Sequence, residues 1–195
     1  GAPEVHCTLY KEGRWRSAAH TGVVVRKNSE GQYAKYQHAF FDGHEGEAYS
    51  WSDRNGDGLV QKDELVFAAL AADGKASGLR SYYWGQLPDE DGTIIYLAQG
   101  TNGLFKLPIK GYTDCGAPLY DVSSADFVAL PAELFAGNGD AMVVGGSKGR
   151  VYLNRSPLSA VDKKGAPLGT YPSRHVSVHG SHKATGAKPG YLIGP

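Results

Sequence analysis

Gly92-Thr-Ile-Ile-Tyr-Leu97, Gly103-Leu-Phe-Lys-Leu107 and Gly116-Ala-Pro-Leu-Tyr120 follow one another through the middle of the chain. They are echoed by Gly139-Asp-Ala-Met-Val-Val144, Gly149-Arg-Val-Tyr-Leu153 and Gly165-Ala-Pro-Leu-Gly-Thr-Tyr171, at spacings of 46 to 49 residues. Short runs of β-branched and aromatic residues between glycine or acidic clusters read as strands. Each unit therefore reads strand, glycine turn, strand, polar turn, strand, with Asp89-Glu-Asp-Gly92 and Lys163-Lys-Gly165 as turns. A period in the high forties built of short strands fits one four-stranded blade of a β-propeller.

The first third follows the same plan more loosely. Gly22 to Arg26, Gln32 to Phe41 and Glu47 to Trp51 are its candidate strands. The fold class is therefore all-β, with about three blade-like units at 1–75, 76–131 and 132–195. Ala71 to Gly78 reads as the clearest linker, and no long helix is expected. Propellers close with four to eight blades. Three make an incomplete ring with exposed strand edges. The remaining blades are then expected in the same protein or in other subunits. The alternative is a β-sandwich or an irregular β domain.

One motif carries definite chemistry. Asp53-Arg-Asn55-Gly-Asp57-Gly58-Leu59-Val-Gln61-Lys-Asp63-Glu64 matches the twelve-residue calcium loop D-x-[DN]-x-[DN]-G-x5-E at each required place. Calcium takes six to eight oxygens at about 2.3–2.6 Å. Asp53, Asn55 and Asp57 supply alternate side-chain oxygens, and Gly58 permits the sharp turn. Leu59 offers its carbonyl, Gln61 acts directly or through water, and Glu64 closes the shell. A plain Asn-Gly/Asp-Gly turn accounts for residues 55–58 but not for Asp53, Gln61 and Glu64. The flank Glu47 to Ser52 alternates and is aromatic, so the loop sits between strands; Glu64 to Ala72 reads as a short helix or a strand. A single loop on a β scaffold suits a structural staple better than a sensor, which needs a helix to swing.

Composition narrows the classes. Glycine numbers 27 of 195 residues, with 12 Tyr and 3 Trp. Twenty basic and twenty acidic side chains give a net charge of zero, so nothing favours nucleic acid. No apolar run reaches the roughly 20 residues of a membrane span. The chain starts at Gly1 with no signal peptide, as a mature or trimmed product does. Calcium staples suit an extracellular or periplasmic setting. There Cys7 and Cys115 can form a disulfide or stay as two buried thiols.

Other candidate sites are sparser. His175-Val-Ser-Val-His179-Gly-Ser-His182 places two imidazoles on one strand face, and Gly180 lets His182 return. Three imidazoles make a copper or zinc shell, although hydrogen bonding to backbone or solvent explains them too. Gly145-Gly-Ser147-Lys-Gly149 has the letters of a nucleophile elbow, but a strand follows where a helix is required. Asp89, Glu90 and Asp91 read as a solvated turn. Tyr82, Tyr83 and Trp84 suit either a glycan-binding face or blade packing.

Three segments resemble large exported bacterial β-propeller proteins that carry an EF-hand-like calcium loop. They are Trp51 to Glu64; Tyr83-Trp-Gly85 with Leu107 to Tyr112 and Gly116 to Asp121; and Tyr171 to His182. The resemblance implies a propeller, export and bound calcium, but no substrate. Ala160-Val-Asp-Lys-Lys-Gly165 followed by Tyr171 also resembles quinoprotein propeller repeats, without their tryptophan. The leading expectation is a calcium-stabilised, non-catalytic binding or assembly module. The alternative is an exported metal- or quinone-dependent oxidoreductase, or a polysaccharide-active enzyme.

Overall fold

In this computed structural model the described residues are 4–24, 38–80, 88–135, 142–145, 149–154 and 158–171. They form an all-β structure whose helical residues, among those described, are confined to short 3-10 turns. The first sheet holds β1 (Val5–Lys11), β2 (Arg14–Val23), β3 (Ala48–Ser52) and β4 (Leu65–Ala68), antiparallel and in chain order. A small hairpin of β5 (Ala71–Ala72) and β6 (Lys75–Ala76) follows. The second sheet contains β7 (Leu79–Arg80), β8 (Ile94–Ala98), β9 (Gly103–Leu107) and β12 (Asp126–Ala129), ordered β12-β9-β8-β7. Between β9 and β12 lies a separate hairpin, β10 (Gly111–Tyr112) with β11 (Pro118–Leu119). The third sheet is a meander of β13 (Met142–Gly145), β14 (Arg150–Asn154), β15 (Leu158–Asp162) and β16 (Pro167–Tyr171).

The second sheet is the middle layer. Successive strand residues point to opposite faces, and all five residues of β8 are buried. Ile94, Tyr96 and Ala98, with Phe105 and Leu107, pack against Val5, Ala19 and Ala48 of the first sheet. Ile95, Leu97 and Leu104 face the other way, against Val151, Leu153 and Val161 of the third. An apolar run without alternation, Ile-Ile-Tyr-Leu, is what a strand covered on both faces requires. Each buried Ile or Leu contributes about 1.5–3 kcal/mol. One polar bridge crosses the first interface: the Tyr96 hydroxyl lies 2.6 Å from Thr21 Oγ1, both fully buried.

Several expectations need correction. The segment read as a strand from Gln32 to Phe41 ends in a 3-10 turn at Ala39–Phe41, and residues 32–37 lie outside the described residues. The linker Ala71 to Gly78 contains a hairpin, because Asp73 (φ 50°) and Gly74 (φ 72°) make the two left-handed positions of a tight turn. The same device at Glu12 (φ 53°) and Gly13 (φ 78°) joins β1 to β2, a hairpin not foreseen. After the loop the chain takes the strand alternative, β4.

The repeated letters also do not give repeated pairing. β8–β9 and β13–β14 are equivalent antiparallel pairs, and a strand, β14, follows the Gly145-to-Gly149 stretch. Gly165-Ala-Pro-Leu then leads into β16, the fourth strand of its sheet, whereas Gly116-Ala-Pro-Leu leads into the detached β11. The place beside β9 is filled by β12 instead. The local signal is the turn alone: Gly116 and Gly165 (φ 91° and 87°) each donate back to the residue three before. Stacked in this way, the three sheets close no ring among the described residues. Cys7 and Cys115 are free thiols, not a disulfide, and burial pushes the Cys7 thiol up despite a hydrogen bond with Tyr120.

Candidate metal centre

The loop from Asp53 to Glu64 spans the turn between β3 and β4. Asp53 N–H donates to Ala18 O at 2.8 Å, extending the β2–β3 pairing into the first loop residue. That pairing buries Asp53 to 3% exposure. Its Oδ1 accepts from Gly56 N at 2.7 Å and its Oδ2 from Gly58 N at 3.0 Å. Asn55 Oδ1 accepts from Asp57 N at 2.9 Å, and Asp57 Oδ1 from Leu59 N at 2.7 Å. Each side chain at an alternate position thus caps a backbone N–H two to five residues on. Gly56 (φ 83°) and Gly58 (φ 72°) supply the left-handed corners these turns need. The Leu59 N–H above all holds the Asp57 carboxyl below its usual range, with Asn55 and Gln61 assisting. Leu59 itself is 65% exposed, so its side chain takes no part.

Glu64 closes the loop from a 3-10 turn at Lys62–Glu64 and is 4% exposed. Its Oε1 accepts from Arg54 N at 2.7 Å; its Oε2 accepts from Trp51 Nε1 at 2.7 Å and from Gln61 N at 3.3 Å. Gln61 Nε2 donates to Asp57 Oδ2 at 2.8 Å, while Gln61 Oε1 is buried with no hydrogen-bond partner.

The donor set suits calcium chemically: oxygens only, three carboxylates, and a buried orphan acceptor at Gln61 Oε1. The arrangement as it stands is looser. Among the described residues no group of three or more His, Cys, Asp and Glu side chains is gathered to hold a metal ion, this loop's carboxylates included. The reason is visible in the hydrogen bonds. Asp53 and Glu64 are drawn toward the loop's own N–H groups. A carboxylate has about four lone-pair sites, so two N–H bonds on Asp53 and three on Glu64 leave free sites on each. Drawing Asn55, Asp57 and Glu64 onto one ion requires closure of the loop, not rupture of its turns.

The back of the loop rests on residues that local spacing could not reveal. Arg16 of β2 donates from Nη1 to Gly56 O at 2.6 Å and pairs through Nη2 with Glu12 at 3.3 Å. Cys115 donates from Sγ to Asp53 O at 3.2 Å and lies 3.0 Å from Thr113 Oγ1. A Cβ added at Gly56 would come within 3.1 Å of Cys115 Cβ, so the β10–β11 turn is seated directly against the loop. Farther along, Tyr120 N donates to Ser52 Oγ at 3.2 Å and Val122 N to Ser50 Oγ at 3.3 Å. The segment after β9 is thereby laid along β3. Only Trp51, two residues before the loop, carried a sequence signal.

The other sequence candidates fare differently. His175, His179 and His182 lie outside the described residues, as do Ser147 and the Tyr82-Tyr83-Trp84 aromatics. The Asp89–Asp91 turn is not simply solvated. Asp89 is 4% exposed, and Lys163 Nζ lies 3.0 Å from its Oδ2 and 2.8 Å from Asp91 Oδ2. Lys106 Nζ donates to Lys163 O at 3.0 Å, completing a tie between the second and third sheets. Asp121 caps its own turn by accepting from Ser123 N and Oγ. An open cavity of about 460 Å³ lies on the third sheet beside Arg150, Tyr152 and Leu168, away from the loop.

No family model, no curated protein and no solved structure matches this chain. The likeness to exported calcium-loop propellers therefore rests on this chain's residues alone. No helix among the described residues is long and apolar enough to cross a membrane.

Proposed function

We propose that this chain is a calcium-stabilised β-propeller segment of an exported protein, serving as a binding or assembly module. One observation carries the reading. The calcium-type loop of the first sheet seats the β10–β11 turn through Cys115, and β3, which leads into the loop, seats Tyr120 and Val122 of the segment that runs on to β12 of the second sheet. An ion held by Asp53, Asn55, Asp57, the Leu59 carbonyl, Gln61 and Glu64 fixes that seat and so fixes one sheet against the next. Four-stranded antiparallel sheets stacked face to face, the middle one apolar on both sides, support blades as the repeating unit. Millimolar calcium outside the cytoplasm fits a site of this staple type. The remaining blades, on the same protein or on other subunits, complete the ring, and a glycan is the kind of ligand such a module presents itself to.

Isothermal titration of calcium into chelator-treated protein tests the reading, together with melting temperature in chelator and in calcium. The expected result is one ion per chain and a higher melting temperature in calcium. No heat and no shift refute the calcium staple.

A further inference from the structure

On the outer face of the first sheet, we propose a second metal site: His6 of β1 and His20 of β2 form a two-imidazole chelate for a first-row divalent ion, copper(II) foremost. The two residues are direct cross-strand partners in the β1–β2 register. Their ring centroids are 5.5 Å apart and edge-to-face at 65°. With metal–nitrogen bonds of about 2.0–2.1 Å, two imidazoles sharing one ion have ring centres roughly 4.5–5.5 Å apart. The observed separation is at the wide end of that span, so a small rotation of His6, which is exposed, completes the geometry.

Each ring also has one nitrogen already engaged by a hydroxyl. His6 Nε2 lies 3.2 Å from Ser17 Oγ, and His20 Nδ1 lies 3.1 Å from Tyr49 OH. That leaves His6 Nδ1 and His20 Nε2 for an ion. A metal-binding imidazole is ordinarily oriented by such a bond through its other nitrogen. His20 is further fixed by the edge of the Tyr49 ring at 5.4 Å, and Tyr49 by Phe41 at 4.9 Å. One half of the chelate is thus rigid and the other adjustable. Two nitrogen ligands with water filling the remaining positions suit copper(II), then nickel(II) and zinc(II), in the usual affinity order. They do not suit calcium, which takes oxygens. The ion taken here is therefore of a different class from the one the loop at residues 53–64 suits.

The test uses the full chain with His175, His179 and His182 replaced by alanine, so that these imidazoles are not counted. Copper(II) is titrated in and followed by electron paramagnetic resonance and calorimetry. One ion per chain with nitrogen coupling is expected. His6→Ala and His20→Ala are each expected to weaken binding at least tenfold, and Tyr49→Phe to weaken it less. His44→Ala serves as the control, because His44 is stacked on Phe67 and hydrogen-bonded to Glu47 away from the pair. If His20→Ala disturbs the fold, the exposed His6 decides alone. Copper affinity unchanged in His6→Ala overturns the site, as does the absence of any bound copper.

Discussion

Replacing Glu64 with glutamine separates what the loop does by itself from what an ion adds. The glutamine keeps the shape of the side chain and one acceptor oxygen. It removes the charge and sets an NH2 group against donors that now meet a carboxylate. Two of those bonds are short, Arg54 N and Trp51 Nε1 at 2.7 Å each, and the group is 4% exposed. A hydrogen bond to a charged acceptor is worth about 1.5–3 kcal/mol. One loses its charge and the other its acceptor, while the neutral amide is easier to bury, so the net loss is about 3 kcal/mol. For a chain of this size that lowers the melting temperature by roughly 6–12 °C. Calorimetry in chelator reads this gap directly. In calcium at a hundred times the dissociation constant, the wild type gains about 2.7 kcal/mol. The variant, lacking the bidentate ligand, gains much less, and the gap approaches twice its chelated value. A gap under 1 °C in chelator refutes the clamp drawn from the hydrogen bonds. An equal gap with and without calcium refutes Glu64 as a ligand.

Three further outcomes follow from the same structure. Asp57→Ala lowers the melting temperature in chelator only modestly, since Asp57 is exposed and loses its bonds to Leu59 N and Gln61 Nε2, but abolishes the calcium increment; a retained increment in calorimetry counts against the donor set. Gly165→Ala and Gly74→Ala share a left-handed backbone cost of roughly 1–2 kcal/mol. Only the Gly165 methyl meets Ala129 O at 2.7 Å and Val128 Cγ1 at 2.8 Å, adding about 1–3 kcal/mol; equal urea midpoints for the two variants contradict the contact. Lys163→Met acts through the turn at residues 89–91. The Lys163 hydrogen bond, helped by the Thr93 N–H, lowers Asp91 to about 2, so its stabilisation is present above about pH 4 and is lost as pH falls toward about 2. The variant is less stable at neutral pH, and urea-unfolding curves for the two proteins converge over that acid window; parallel curves argue against the pair.

Two strands of the middle sheet, β8 and β9, were legible because burial on both faces leaves its mark in nearly every residue, as Ile94 to Leu97 shows, whereas the less buried β12 and the two-residue β7 were not. The β1–β2 hairpin was missed for the converse reason. Glu12-Gly13 is a modest turn signal, and Tyr10 and Trp15 on either side of it are exposed at 62% and 69%, so the alternation of Val5, Cys7 and Leu9 with His6 and Thr8 does not carry through to the turn. The repeat misled in its second half because turn chemistry is local and pairing is not. Gly116-Ala-Pro-Leu and Gly165-Ala-Pro-Leu encode one kind of turn, but whether the outgoing strand joins the sheet depends on what competes for β9, and β12 wins that edge.

The same division runs through the loop. The turns at Asp53, Asn55 and Asp57 are local, because each side chain caps an N–H within five residues, and such bonds follow from spacing. What holds the loop in place was not readable, because Arg16 and Cys115 come from 40 and 62 residues away. That distance gives the loop its consequence for the fold. A loop satisfied only by its own backbone would bind an ion and rearrange nothing beyond itself. Here the Asp53 carbonyl and Gly56 are in contact with the β10–β11 turn, so tightening the loop around an ion tightens an interface between two sheets. Cys115→Val, which fills similar space and removes the Sγ–H donor, should therefore reduce the stability gained from calcium without removing calcium binding. Titration calorimetry and melting measured on the same variant distinguish this from a loop that acts alone, for which both quantities would stay at wild-type values.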